Sequence, residues 1–280
     1  MIISAVVVTR NPPQDLAARL VDPLTAAGIP VLVIDNMSDS PPRIPEHSLV
    51  TLLLNDDNLG IPARLNQCVP SLADGGADWL WYFDQDSHIE CADVESMKLR
   101  TKTSEPEDGQ FSPSYVDRNT GTSGYSAQRA NRRPFTPIGS GSLFSLRACS
   151  SVGRFEEKLP LDLWDFEISL RLQRHGYRVT LLDDVNLSHE VGSRATVRRL
   201  GLRFADEGHP VWRYANKCFA TKLVVRRYWL VYPGWCLRHL VARCIGMSSA
   251  LVARSDRRAL ISAIRSGCVS KNAPKLPGTP

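Results

Sequence analysis

Asp84 and Asp86 stand one residue apart at the close of "WLWYFDQDS". Two carboxylates spaced this way at a strand end form a hard-oxygen ligand set for Mg²⁺ or Mn²⁺, ions that take a few carboxylates together with substrate phosphates and water. The same residues also make an ordinary solvated turn, so the pair needs company elsewhere in the chain. Asp35 closes a second apolar run in "VIDNMS", where it either caps a turn or accepts an N–H or hydroxyl from a nucleotide. "NDDNLGIPARLN" sets Asn58 and Gly60 just before a helix, where freed backbone N–H groups could meet a ribose or base. In "LDLWDFEISLRL", Asp162, Asp165 and Glu167 open an amphipathic segment. Acids suit a helix N-terminus through its dipole, and Trp164 beside Asp165 offers an apolar wall that raises a carboxylate's proton affinity, as a general base needs. His189, in "LSHEVGS", follows a strand and is either structural or a metal ligand.

Such side chains need a scaffold that brings them together. The first half of the chain alternates short apolar runs with polar helical stretches, the pattern of an α/β sheet built from crossover units. Strands are expected over Ile2 to Thr9, Val31 to Asp35, Val50 to Leu54 and Trp79 to Asp84, with helices over Gln14 to Ala27 and Ile61 to Ala73. "AVVV", "VLVI" and "WLWYF" are continuous apolar runs, as strands covered on both faces are. Ligands in open sheets of this kind bind at the carboxyl ends of the strands, and Thr9, Asp35, Asn55 and Asp84 fall there. Residues 100 to 136, rich in Ser, Thr, Pro, Asn, Arg and Gly, predict a long, partly mobile connection with a strand at Phe111 to Val116, a place that suits an acceptor-binding or lid segment. Helix periodicity returns over Asp162 to His175, Gly176 is its stop, and "YRVTLL" is a further strand.

At 280 residues, 43% of them hydrophobic, the chain can bury one large domain or a domain with an appendage, and disorder is not the default reading. The apolar stretch from Trp229 to Ala253 is interrupted by Arg238, His239 and Arg243, so no integral membrane span is expected. The apolar start "MIISAVVVTRN" lacks a signal peptide's basic head, which points to the cytoplasm. Seven scattered cysteines without a Cys-x-x-Cys pair predict reduced thiols, mostly buried. The net charge is +5, with the basic excess gathered after residue 190, so anionic partners, lipid headgroups or nucleic acid, are expected.

Taken in order, Thr9, Asp35, Asn58 with Gly60, Asp84-Gln85-Asp86, Gly139 to Ser142, Asp165 with Glu167, and His189 resemble the inverting glycosyltransferases of family 2, and especially their rhamnosyltransferase-like branch. The motifs are "VVVT", "VIDN-x-S", "N-L-G-I", "DQDS", "SGS", "D-x-E-x-x-x-R" and "H-E-x-G", together covering residues 2 to 195. The resemblance implies a GT-A fold, a Rossmann-like mixed α/β sheet flanked by helices, over residues 1–195, and a basic, mainly helical C-terminal extension over 196–280. It implies Mg²⁺ or Mn²⁺ held by Asp86 and His189, and donor contacts from Thr9, Asp35, Asn58, Gly60, Asp84 and Gln85. Asp165 is implied as the base, with Trp164, Glu167, Gly141 and Ser142 as acceptor or sugar contacts. Trp164 departs from the second acid that many relatives carry before the base.

The "DQDS" form resembles users of dTDP-L-rhamnose, with a UDP-galactofuranose donor as the alternative, and a glycan, glycolipid or small-molecule acceptor. The stretch "RRYWLVYPGWCLRHLVARCIGMSSALVARSDRR" mixes aromatic, aliphatic and Arg residues as interfacial helices do, which would put the chain peripherally on the inner face of the cytoplasmic membrane. Packing on the catalytic domain or in a homodimer explains it equally well, and Pro233-Gly234 breaks it into at least two pieces. A non-catalytic sugar-binding protein would have lost Asp86, Asp165 or His189. A nucleic-acid module would carry a recognised motif, and none is present.

Overall fold

The computed structural model describes residues 1–118, 121–125, 132–189, 195–199 and 202–278. They form two compact units.

The first unit, residues 1–160, 164–190 and 276–280, is built on a seven-stranded mixed sheet. The strands are β1 (Ile3–Thr9), β2 (Val31–Asn36), β3 (Val50–Asn55), β4 (Trp79–Asp84), β5 (Asp108–Asp117), β6 (Leu143–Ser145) and β7 (Arg178–His189). Their order is β3-β2-β1-β4-β6-β5-β7. β1 to β4 run parallel, β6 is antiparallel to both β4 and β5, and β5 is parallel to β7. The α/β sheet expected from the apolar runs, mixed as the resemblance implies, is therefore present. Parallel register sets Val8 beside Asp84 and Thr9 beside Asp35, so the polar ends of three neighbouring strands meet along one edge.

Burial explains the strand sequences. β1 is buried throughout, and Trp81, Tyr82 and Phe83 are fully buried, each ring of this size contributing ~1.5–3 kcal/mol or more. Buried indole and phenol groups need polar partners. Trp81 Nε1 donates to the Gly141 carbonyl at 2.7 Å, and the Tyr82 hydroxyl donates to Asp84 Oδ1. The edge strand β3 differs, with Leu52, Leu53 and Leu54 exposed.

The helices of this unit are α1 (Asp22–Ala26), entered through a π-helical turn at Ala17–Val21, α2 (Ile61–Asp74), α3 (Cys91–Lys102), α4 (Leu146–Val152) and α5 (Trp164–Arg174). Gly176, at φ 87°, ends the α5 segment as expected. Two expectations change. Asp108–Asp117 is one ten-residue strand, so the connection expected over residues 100 to 136 is ordered at its start; residues 119–120 and 126–131 of that expected segment lie outside the described residues. His189 ends β7 rather than following a strand, because β7 continues past "YRVTLL" to pair Asn186–His189 with Ser114–Asp117.

The second unit, residues 161–163 and 191–275, holds the hairpin β8 (Ala195–Arg199) and β9 (Leu202–Asp206) and three helices, α6 (Val211–Tyr228), α7 (Pro233–Ala253) and α8 (Arg257–Val269). It carries 17 Lys and Arg against 4 Asp and Glu, a net +13, while the remaining residues sum to −8. The expectation that no segment is long and apolar enough to span a membrane is corrected. By length and composition α7 suffices, with 21 residues and a mean hydropathy of 1.2, because Arg238 and Arg243 are too few to lower the average of their neighbours. Four of the seven free cysteines, Cys68, Cys149, Cys218 and Cys236, are buried, and Cys91, Cys244 and Cys268 are exposed.

Candidate active site

Asp84, Asp86 and His189 converge at the carboxyl end of the sheet, each offering one ligand atom within 4.8 Å of the others. β4 delivers the two acids and β7 the imidazole, so the group exists only because the sheet folds residues a hundred positions apart onto one edge. Two carboxylates and an imidazole suit a divalent ion such as Mn²⁺. Asp84 joins the two ligands inferred from the motif pattern.

Each ligand is held from behind. Tyr82, whose hydroxyl meets Asp84, has its own ionisation pushed well up by burial and then by that carboxylate, so it stays a donor. His189 Nδ1 lies 3.0 Å from Ser87 Oγ and 3.3 Å from Asp86 Oδ1. Ser87 Oγ in turn lies 2.7 Å from Ser140 Oγ, and Ser140 Oγ accepts the Asp84 backbone N–H at 2.8 Å. Ser87 and Ser140 are buried, so these contacts are shielded from water and fix the imidazole, as outer partners of metal ligands do.

Asp165 stands in the first turn of α5. Its Oδ2 accepts the Gly139 N–H at 3.0 Å and its Oδ1 the Phe166 N–H at 2.8 Å. Burial pushes this carboxyl up to about 7, the neighbouring charge of Asp84 adds to the rise, and the Phe166 and Gly139 N–H groups oppose it. Trp164, expected as an apolar wall, packs into an aromatic cluster beside this turn. That ring is buried, edge-on to Tyr82 at 5.0 Å and to Phe155 at 5.8 Å. A Cβ on Gly139 would come within 2.5 Å of Trp164 Cζ2, so only glycine lets the 139–142 turn reach Asp165.

That turn links the site. Gly139 holds Asp165 and Ser140 holds Asp84 and Ser87, roles that the motif reading, although it includes both residues, does not assign. The residues to which it does assign a role, Gly141 and Ser142, serve the interior. Gly141 has φ 77° and a Cβ there would meet Pro113 Cγ at 2.7 Å. Ser142 is fully buried, 2.6 Å from Ser112 Oγ and donating to the Ile138 carbonyl at 2.9 Å. A buried network of Gln110, Ser112, Ser142 and Ser169 ties α5 to β5, with Ser169 Oγ donating to Gln110 Oε1 at 2.8 Å. Glu167, read from the motif as a sugar contact, points into the interior. It is fully buried and accepts from Arg171 at 2.9 Å, on the side of α5 turned away from Asp165.

The remaining sites split in the same way. Thr9 Oγ1 donates to Asp35 Oδ1 at 3.1 Å, and Asp35 also accepts from Ser38 N at 2.8 Å and from Ser38 Oγ, so this carboxylate holds the turn after β2. Gln85 clamps the end of β1, accepting from Arg10 N at 2.7 Å and donating to Arg10 O at 3.0 Å. Asn58 accepts from Asn36 Nδ2 at 2.8 Å and donates to the Pro277 carbonyl at 2.9 Å. Gly60 owes its identity to the backbone, since at φ 85° a Cβ would lie 2.3 Å from the Pro160 carbonyl, and that oxygen already accepts the first N–H of α2, from Ile61. Asp162 belongs to the second unit, where Arg213 donates to it at 3.3 Å. Buried Arg64, unmarked in the sequence, gathers this region by donating to Asn36 Oδ1 at 3.0 Å and to Asp57.

Residues 111–264 match the profile of glycosyl transferase family group 2. The dTDP-rhamnosyl transferase RfbF of Shigella flexneri is 26% identical over 230 residues, 76% of each chain. Among solved structures, S. aureus TarS superposes with a TM-score of 0.62 at 12% identity, covering 97% of this chain and 50% of that one. The mannosyltransferase PcManGT from Pyrobaculum calidifontis, in complex with GDP-Man and Mn²⁺, superposes with a TM-score of 0.51 at 16% identity, covering 96% and 81%.

Proposed function

The chain belongs to glycosyl transferase family group 2 and is a glycosyltransferase of GT-A fold, and from this we propose that it moves L-rhamnose from dTDP-L-rhamnose to a hydroxyl of a glycan, glycolipid or natural-product acceptor, with inversion. The observation that carries the reading is the pairing of a ligand trio, Asp84, Asp86 and His189, with a neighbouring carboxyl, Asp165, raised to about 7. The choice of sugar is supported by the name of the Shigella relative; UDP-galactofuranose is the alternative donor.

Asp84, Asp86 and His189 would hold Mg²⁺ or Mn²⁺, and the ion when bound supplies positive charge against the departing nucleotide diphosphate. A carboxyl titrating near neutral pH suits a general base. Asp165 accepts the acceptor's hydroxyl proton as that oxygen forms a bond to the anomeric carbon. The bond from that carbon to the diphosphate oxygen breaks on the opposite face, and the electron pair leaves with the nucleotide. Gly139 and Phe166 keep both Asp165 oxygens aimed, and Trp164 keeps water from its flank. Thr9, Asp35 and Gln85 shape the strand ends against which the nucleotide lies.

Thermal stabilisation by dTDP-rhamnose, UDP-galactofuranose, UDP-glucose and GDP-mannose, each with and without Mn²⁺, tests the donor, because ligands that bind the native state raise its apparent stability. A metal-dependent rise with dTDP-rhamnose alone is expected. A rise confined to another sugar nucleotide would reassign the donor, and no rise with any would overturn donor binding.

We further propose that the basic unit rests on an anionic membrane surface, on the cytoplasmic side. Leu237, Val241 and Ile245 recur at helical spacing on the exposed face of α7, and Leu230 before it is 93% exposed, with exposed Arg226 and Arg238 beside them. Arg243 at the middle of α7 disfavours a span. Flotation with phosphatidylglycerol vesicles at low salt and release at high salt are expected. A chain left in solution at low salt would refute this, and resistance to both salt and carbonate would mean that α7 spans.

A further inference from the structure

The face of α7 that carries His239, Arg243 and Met247 lines a cavity of about 360 Å³ within the second unit, with Ile245 of the apolar stripe at its edge, in the size range of small-ligand sites. Its polar lining is Lys217 and Tyr214 of α6, His239, Arg243 and Ser249 of α7, and Glu207. His239, Arg243 and Met247 follow at four-residue spacing, so one helical face presents them together.

The charges here are out of balance. Lys217 is buried and pairs with Glu207. Glu207, lowered by His209 and then by Lys217, is thereby spoken for. Arg243 has a buried Nε without a hydrogen-bond partner, and among the described residues no carboxylate pairs with its guanidinium. Its charge also bears on its neighbours: after burial, Arg243 helps push His239 down to about 4 and adds to the lowering of Lys217. An Arg on the inward face of a helix, beside a Lys and against a cavity, is an arrangement that costs stability unless an anion fills it.

We infer that this cavity is a binding site for a phosphate or diphosphate group, with the Arg243 guanidinium and Lys217 ammonium as its charged donors and the Ser249 hydroxyl beside them; the Tyr214 hydroxyl is already committed to Asp206. A guanidinium's fork of N–H groups matches phosphate oxygens. Ile245 and Met247, also on the lining, suit an apolar group attached to that phosphate, so a lipid headgroup and a free phosphate are both sources of this chemistry. The lining belongs to the second unit and includes none of Asp84, Asp86, Asp165 and His189, so the inference does not depend on the sugar assigned to the donor.

The test is calorimetric titration of the full chain with pyrophosphate in EDTA, which silences metal-dependent binding at Asp84, Asp86 and His189. Saturable binding is expected, weakened about 10- to 100-fold by Arg243→Gln, partly restored by Arg243→Lys and unchanged by Asp86→Ala. Gly246→Leu gives a second route. Gly246 lines the cavity and a Cβ there meets nothing within 4 Å, so the larger side chain enters the space without disturbing the helix and should abolish binding in a folded protein. Vesicles of phosphatidic acid identify the source. Arg243-dependent retention beyond that on phosphatidylglycerol marks a lipid phosphomonoester, and equal retention with intact pyrophosphate binding marks a soluble one. Absence of binding to pyrophosphate and to phosphatidic acid alike, or binding indifferent to both Arg243→Gln and Gly246→Leu, would overturn the inference.

Discussion

Asp165→Asn is expected to lower kcat by about 10²- to 10⁴-fold, the usual worth of a positioned general base, while metal-dependent stabilisation by the donor survives. The amide keeps the shape of the carboxyl but cannot take a proton from the acceptor. The native enzyme should show a second mark of the same group. With the Asp165 carboxyl raised from 3.8 to about 7, the ionised base is lost below that value, so kcat should fall about tenfold per pH unit there; in the Asn variant that acid limb should vanish. Linkage gives a parallel sign for stability. Between about pH 4 and 7 the native chain holds a proton that the unfolded chain has released, so the contribution of Asp165 favours folding at low pH and is lost as pH rises through 7. Turnover within tenfold of the native rate, with the acid limb intact, would assign the base to another residue.

The raised carboxyl was legible because Asp165 sits in an apolar stretch of sequence beside the buried Trp164. β4 was legible for a similar reason, its Trp79–Asp84 bounds matching the apolar run that ends in an acid. Residues whose job depends on distant backbone were not. Nothing near Gly139 in the chain announces that its N–H will meet Asp165, or that Ser140 will join Asp84 to Ser87, since both contacts arise only when β4 and β6 pair. Asn58, Gly60 and Gln85 stand where the motif pattern expects donor contacts, yet their polar atoms or backbone positions are taken up by Pro277, Pro160 and Arg10. The opposite placement of Glu167 could have been found. Two residues along a helix point roughly 200° apart, so a residue beside the base in the motif lies behind it in space, and Arg171 one turn on was its evident partner.

Asp86→Ala is expected to have an effect as large as that of the base substitution but at a different step. Asp86 Oδ1 and His189 Nδ1 lie 3.3 Å apart, with Ser87 Oγ 3.0 Å from the same nitrogen. Removing Asp86 leaves His189 anchored by Ser87 and Asp84 by Tyr82, so the fold should survive with two of the three ligand groups in position. Loss of an outer partner of a metal ligand costs about 10- to 100-fold in affinity, and loss of a ligand itself should exceed that. Mn²⁺ titration of the variant should therefore show weakened binding, and the donor should no longer raise its melting temperature when Mn²⁺ is added. The contrast between the variants carries the argument: Asp165→Asn should bind metal and donor without transfer, whereas Asp86→Ala should fail at binding. Equal Mn²⁺ affinity in Asp86→Ala and the native chain would remove Asp86 from the metal site, and with it the reason for two acids at the end of β4.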